Sequence, residues 1–389
     1  MTLPAAYTIT QPTRIHFGLH SIQNLSRIVT GLGGTKPLVV IDPGLQKAGL
    51  DADITASLDE EGIKYVVSTK VDPEPSLRLA DKAAETARKN KCDCVIGAGG
   101  GSAMDIAKAA AILLTNGGKA ADYLGLGKIK KPGVPKIMVP TSAGTGAEVT
   151  FTAVFINEKT GSKGGMNGDP LYPDAAILDP MLTLSLPPGV TASTGIDALT
   201  HAVEAYTSVQ AHPISEMYSL EAIELILTHI RTAYADGRNV EARSAMLLAS
   251  LLAGKALAMA GVGLVHAMSY PLGGMFGIPH GLANAVLLPY VTDYNLIGDL
   301  RKHTVLASLF GHEVDAMPLR EAAALAVDGL FQLNMDLDIP ATLSDLEIPE
   351  DRIGEMADIA LTVARPIENN PRRPSREDII AVYEYAMKG

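Results

Sequence analysis

CDCVIGAGGGSAMDIAKAAAILLT, residues 92–115, is the stretch that decides the fold. Its β-rich run closes at Val95-Ile96-Gly97, passes through Ala98-Gly99-Gly100-Gly101-Ser102, and enters a helical stretch beginning around Ala103. Glycines let a backbone or ligand approach closely, and the free N–H groups at a helix start favour an anion such as a pyrophosphate. Strict G-x-G-x-x-G fails, because Ser102 takes the last glycine position, and no G-x-x-x-x-G-K-[ST] is present. Taken by itself the loop also reads as a plain strand-to-helix turn.

Working outward, short β-rich runs alternate with helical stretches from Lys36 to about Leu178, the order expected of an open, mostly parallel α/β sheet. PLVVID (37–42), KYVVSTKV (64–71), CDCVIGAG (92–99) and KIMVPTS (136–142) are the expected strands; 76–90 and 102–115 are expected helices. Beyond Pro187-Pro188 the residues 191–208, 215–235, 240–259 and 319–333 carry helical periodicity with no strand between them. The expectation is therefore a Rossmann-like α/β dinucleotide-binding domain over 1–187 and an all-helical metal-binding and substrate domain over 188–389. A chain of 389 residues exceeds one ordinary hydrophobic core, which agrees with two domains and a cleft.

Composition narrows the classes. Hydrophobic residues are 47% and charged residues 19%, an ordinary globular profile. A formal charge of -11 without a Lys/Arg cluster argues against a phosphate-backbone partner, so no nucleic acid is expected. Cys92 and Cys94, two apart in a strand, fit neither a disulfide nor zinc-ligand spacing and read as core thiols. The leading residues lack a basic segment followed by an apolar one, which points to the cytoplasm. The apolar run 244–268 contains Lys255 and His266 and reads as a buried helix, so no membrane is expected.

A second small-residue loop, Pro140 to Glu148, follows KIMVP, placing two such loops at strand carboxyl ends, where open α/β sheets bind ligands. Asp42 closes PLVVI, where a carboxylate can hydrogen-bond a ribose diol and repel a 2′-phosphate, favouring NAD over NADP; the simpler role is a helix N-cap before Pro43. Asp197 and His201 lie four apart in GIDALTHAVEAY (195–206), one helical turn on one face. His266 follows an apolar helical run, and His280 follows it across PLGGMFGIPHG (271–281), read here as a Gly-rich turn that folds back to the same point. One carboxylate and three imidazoles suit a first-row divalent ion, iron or zinc first. Singly each histidine reads as a core or surface group; together the four read as a metal set. His212, before Pro213, could also sit near the cleft, while the remaining histidines have no comparable setting.

These motifs, with IHFG (15–18), VVIDPGL (39–45), GAGGGSAMDIAK (97–108), VPTSAGTGAEVT (139–150), PDAAILDP (173–180) and NNPR (369–372), resemble the iron-containing (group III) alcohol dehydrogenases in the family's order over nearly the whole chain. The resemblance implies Asp197, His201, His266 and His280 as metal ligands and Gly99, Gly100, Gly101 and Ser102 as pyrophosphate loop. It also implies Asp42 at the ribose, Thr141, Ser142 and Thr145 in the second cofactor loop, and Lys163 near the nicotinamide ribose. Three positions depart: Tyr270 stands where relatives often have His, Thr152 where many have Asn, and Leu257 where many have an aromatic residue. They bear on proton transfer and substrate choice, as does Arg365 in VARPIENNPR, which relatives bring to the substrate and which otherwise reads as a solvated arginine.

The expected activity is hydride transfer between NAD(H) and a small alcohol or aldehyde, with Fe2+, or Zn2+ or another divalent ion, as Lewis acid. The expected assembly is a homodimer or higher homo-oligomer. Maleylacetate reductase, hydroxyacid-oxoacid transhydrogenase and a dehydroquinate synthase-like lyase share parts of the pattern and are the alternatives.

Overall fold

The computed structural model describes residues 6–158 and 162–389. Its strands are β1 (Arg14–Phe17), β2 (Pro37–Ile41), β3 (Val66–Ser68), β4 (Cys94–Gly99), β5 (Gly125–Leu126), β6 (Lys136–Pro140), β7 (Thr152–Asn157), β8 (Ser162–Asn167) and β9 (Ala175–Leu178). Six of them form a parallel sheet in the order β1-β9-β6-β4-β2-β3, and the other three a small sheet, β5-β8-β7.

The unbroken apolar run PLVVI is explained by burial of β2 on both faces. Leu38 and Val40 join Val95 against the helices Leu77–Asn90 and Gly101–Asn116. Val39 and Ile41 join Cys94 and Ile96 against Leu25, Ile54 and Leu58 on the opposite side. Both cysteines are free and buried, and burial pushes both thiols up, that of Cys94 well above its ordinary range.

The chain divides into two compact units, Thr10–Leu186 and Pro187–Gly389, with residues 6–9 grouped with the second. Tyr7 accordingly stacks on His212, ring centroids 3.9 Å apart and nearly coplanar. The His212 ring caps the helix Pro213–Ala235 by accepting the Ser215 N–H.

No strand occurs among the described residues after Leu178. The run 244–268 is two helices: Val240–Ala260 ends at Gly261, with φ 75°, and a new helix, Leu264–Phe276, starts past Gly263. Val240–Ala260 is long and apolar enough to cross a membrane by length and composition, and it packs against the helices Pro188–Thr207 and Pro213–Ala235. The segment expected as a Gly-rich turn differs more. Helix Leu264–Phe276 runs through Pro271 and both glycines after Leu272, giving up only the N–H that proline lacks. The reversal is confined to Gly277-Ile278-Pro279, where Gly277 adopts φ 70°, and the helix His280–Asn295 begins immediately.

Candidate active site

In the helical unit, Asp197 and His201 lie on Pro188–Thr207, His266 on Leu264–Phe276, and His280 at the first position of His280–Asn295. The last helix can come this close because Gly281 has no side chain: a Cβ there would stand 2.6 Å from the Ser193 carbonyl oxygen. Donor atoms of Asp197, His201 and His266 lie within 4.8 Å of one another, and all three residues are buried. His201 Nε2 and His280 Nε2 are 4.0 and 3.9 Å from Asp197 Oδ1. The His201 and His266 rings stack at 4.8 Å, and the His280 ring stands edge-on to His266 at 5.2 Å.

Two donors sharing one tetrahedral ion at bonds of about 2.1 Å would lie about 3.4 Å apart. The separations from Asp197 Oδ1 exceed that by roughly half an ångström, within side-chain adjustment, so the set fits a divalent ion. Burial alone would raise the Asp197 carboxyl, but His201, His280 and His266 around it and the hydrogen bond from Asn284 hold it below its ordinary value.

Two residues of this cluster were not singled out in the sequence. Asn284, four after His280, donates from Nδ2 to Asp197 Oδ1 at 2.7 Å, and the same nitrogen is 3.3 Å from His266 Nε2 and His280 Nε2. Glu204, three after His201, is buried against His266. Helical spacing from residues already chosen, i+4 and i+3, was the signal for both.

The Tyr270 ring centroid lies 6.3 Å from that of His280. Leu257 is half-buried near the end of Val240–Ala260. Arg365 is exposed at the start of the short helix Ala364–Asn369, as a solvated arginine would be. Its neighbours Asn369 and Asn370 have a structural role: they hold the Val262 carbonyl and the Leu264 N–H at the start of the His266 helix.

In the α/β unit, most of the residues expected to bind the cofactor lie at the carboxyl ends of three adjacent parallel strands. Ile41 pairs with Ala98 and Gly99 with Pro140, so Asp42, the glycine loop and Thr141 emerge side by side. Gly99, at φ 148°, lies where a Cβ would meet the Asp42 Cβ at 2.7 Å; a Cβ on Gly101 would meet Thr145 Cγ2 at 2.9 Å. Asp42 Oδ1 accepts the Gly44 N–H at 2.7 Å, so the residue is a helix N-cap whatever else it does. Ser102 Oγ donates to the Pro73 carbonyl at 2.6 Å, and a Cβ on Gly100 would approach Ser142 Oγ at 3.7 Å.

The side chain of Lys163, on β8, is buried and paired with Glu74 at 2.6 Å. Thr152 donates its hydroxyl to Asn167 Oδ1 at 2.8 Å, while its carbonyl accepts from the buried Lys108 Nζ at 2.6 Å. Lys108 thereby ties the helix behind the glycine loop to β7. At the end of the second loop, burial pushes the Glu148 carboxyl up to about 7.

A family model described as "Iron-containing alcohol dehydrogenase" matches residues 12–180, and one described as "Fe-containing alcohol dehydrogenase family, C-terminal" matches 191–387. The chain is 43% identical over 381 residues to long-chain-alcohol dehydrogenase 1 of Geobacillus thermodenitrificans, covering 97% of this chain and 96% of that protein. The crystal structure of a 1,3-propanediol oxidoreductase superposes with a TM-score of 0.96 at 37% identity, covering 98% of this chain and 100% of that one. Sulfoacetaldehyde reductase from Bifidobacterium kashiwanohense, solved in complex with NAD+, superposes with a TM-score of 0.85 at 31% identity, covering 99% of each chain. With both family models matched in chain order and a parallel sheet followed by a helical region, this chain belongs to the iron-containing alcohol dehydrogenase family and is an alcohol/aldehyde oxidoreductase.

Proposed function

We propose that the protein is an NAD(H)-dependent dehydrogenase, activated by a divalent ion, that interconverts a small alcohol and its aldehyde or ketone. Asp197, His201, His266 and His280 hold the ion, Fe2+ by family and Zn2+ or another divalent ion by donor chemistry. The observation that carries the reading is the convergence of one buried carboxylate and its surrounding imidazoles from three helices. NAD as cofactor is supported by the grouping of Asp42, Gly99, Gly100, Gly101, Ser102, Thr141, Ser142 and Thr145 at one sheet edge, and by the NAD+ complex of the related reductase. Lys163, anchored by Glu74, is assigned to the nicotinamide ribose. Nothing in the comparisons favours the transhydrogenase, maleylacetate reductase or lyase alternatives.

When bound, NAD(H) would exchange a hydride with the substrate carbon and the ion would polarise the carbonyl. The chain's own residues bind and orient. Asp197, His201 and His266 are buried, which limits solvent at their side chains, and Asn284 fixes the Asp197 carboxylate through its hydrogen bond. Thr152, Leu257 and Arg365 are assigned to substrate choice, with the exposure of Arg365 the weakest fit among them. Chelator treatment should abolish carbonyl-dependent NADH oxidation and Fe2+ or Zn2+ should restore it; full activity in a verified metal-free preparation would exclude the assignment.

The cytoplasmic assignment is supported by two free buried thiols and a nicotinamide cofactor. Assembly as a homodimer or higher homo-oligomer is supported by the edge position of β1, where Phe17 is exposed.

Cofactor choice gives one prediction. Asp42→Gly keeps an acceptable N-cap while removing a charge that would face a 2′-phosphate. The kcat/KM ratio of NADPH to NADH should rise at least about fivefold, the equivalent of about 1 kcal/mol between charges 4 Å apart in water. An unchanged ratio would leave Asp42 as a cap only.

Proton transfer gives another. A phenol titrates near pH 10 when unperturbed and suits general-base work at neutral pH poorly, so Tyr270 is assigned to orienting water or shaping the pocket. Tyr270→Phe should keep kcat within about threefold; a loss of about 10² or more, the range of general acid-base groups, would make the phenol a proton donor.

A further inference from the structure

Glu204 extends the Asp197/His201 face of the helix Pro188–Thr207 by one more turn and is buried, 4% exposed. Its two carboxylate oxygens have different partners on the neighbouring helix. Oε2 lies 2.5 Å from His266 Nδ1, and Oε1 accepts the Val265 backbone N–H at 2.6 Å. Leu264, the preceding residue, donates its N–H to Asn370 Oδ1 at 3.1 Å. Two orphan donors in the first turn of Leu264–Phe276 are thus taken by side chains, and a carboxylate there also suits the helix dipole.

A carboxylate carries no proton to give, so the hydrogen shared with His266 sits on Nδ1. In the neutral imidazole, the form that ligates a metal, Nε2 then keeps its lone pair. That is also the nitrogen on the Asp197 side, because Asn284 Nδ2 reaches both Asp197 Oδ1, at 2.7 Å, and His266 Nε2, at 3.3 Å.

We propose that Glu204 is the positioning residue of the metal centre: it fixes the His266 tautomer and ring orientation so that Nε2 is presented as ligand, and thereby sets the affinity for the ion. The inference rests on the metal reading above and adds to it the residue that tunes the site. Outer partners of this kind raise the basicity of a ligating imidazole as well as aiming it.

Glu204→Gln is the informative variant, because its amide matches the carboxylate in size but has only one acceptor oxygen. If that oxygen keeps Val265 N–H, the NH2 group faces Nδ1, and the ring must move its hydrogen to Nε2, the ligand atom. Measured by competition with a chromophoric chelator, the dissociation constants for Zn2+ and Fe2+ should rise about 10–100-fold. NADH binding and cooperative thermal unfolding of the chelator-treated protein should stay as in the wild type, which a merely disruptive change would not allow.

A second measurement needs no variant: 15N spectra of the ring nitrogens in metal-free wild type should show His266 with its hydrogen on Nδ1. Wild-type metal affinity in Glu204→Gln, or a His266 with its hydrogen on Nε2 in the wild type, overturns the proposal. A wild type that binds neither ion overturns the metal reading itself, and this inference with it.

Discussion

Replacing His201 by alanine should leave a folded protein that retains no stoichiometric metal and loses about 10²–10⁴ in kcat/KM, the equivalent of several kcal/mol of Lewis-acid stabilisation. The change is severe for the site and mild for the fold. His201 sits mid-helix, where alanine is the better helix former, and its ring stacks on His266, another member of the same cluster. The affinity for NADH should be unchanged, since Asp42, Gly99–Gly101 and the second loop belong to the other compact unit. Elemental analysis, an NADH fluorescence titration and steady-state rates on one preparation separate these outcomes. Metal content equal to the wild type would remove His201 from the ligand set, and activity without metal would remove the metal from the reaction.

What could be read in advance follows from how local each signal is. The central strands were legible because β2, β4 and β6 are buried on both faces and therefore written in continuous apolar residues. β7 and β8 were not, because SKGGMN carries a lysine and two glycines and owes its strand state to pairing with TAVFIN, not to its own composition. The helical turn through Pro271 was hidden for the opposite reason. Proline and glycine locally argue for a break, but a buried helix flanked by Ala267, Met268 and Leu272 outweighs one missing hydrogen bond.

Within the site, ligand-type residues at helical spacing were visible, whereas Glu204 and Asn284 were not weighed. Glutamate and asparagine are ordinary residues until a partner from another helix gives them a role, as Val265 and His266 do for Glu204. Asp42 shows the converse: its N-cap bond is evident in the structure, yet capping and ribose recognition use the same carboxylate and do not exclude each other.

Gly100→Val should raise the dissociation constant for NADH by about 10–100-fold while leaving the protein folded and its metal content intact. The backbone at Gly100, φ -74° and ψ -173°, is extended and open to a β-branched residue. An added Cβ would meet nothing nearer than Ser142 Oγ at 3.7 Å, so the folded chain itself has room for it. As the N-cap of the helix Gly101–Asn116, a valine costs about 1 kcal/mol, which an ordinary domain tolerates. A pyrophosphate drawn to the N–H groups of that helix would need the same space, and overpacking of about 1–3 kcal/mol corresponds to the stated loss in affinity. Gly101→Val is the contrasting case, because its Cβ would strike Thr145 Cγ2 at 2.9 Å and disturb the loop with or without a dinucleotide. Fluorescence titration with NADH beside thermal unfolding distinguishes the two variants. If Gly100→Val binds NADH as the wild type does, the phosphates do not pass this loop, and the glycines serve only the packing of the strand ends.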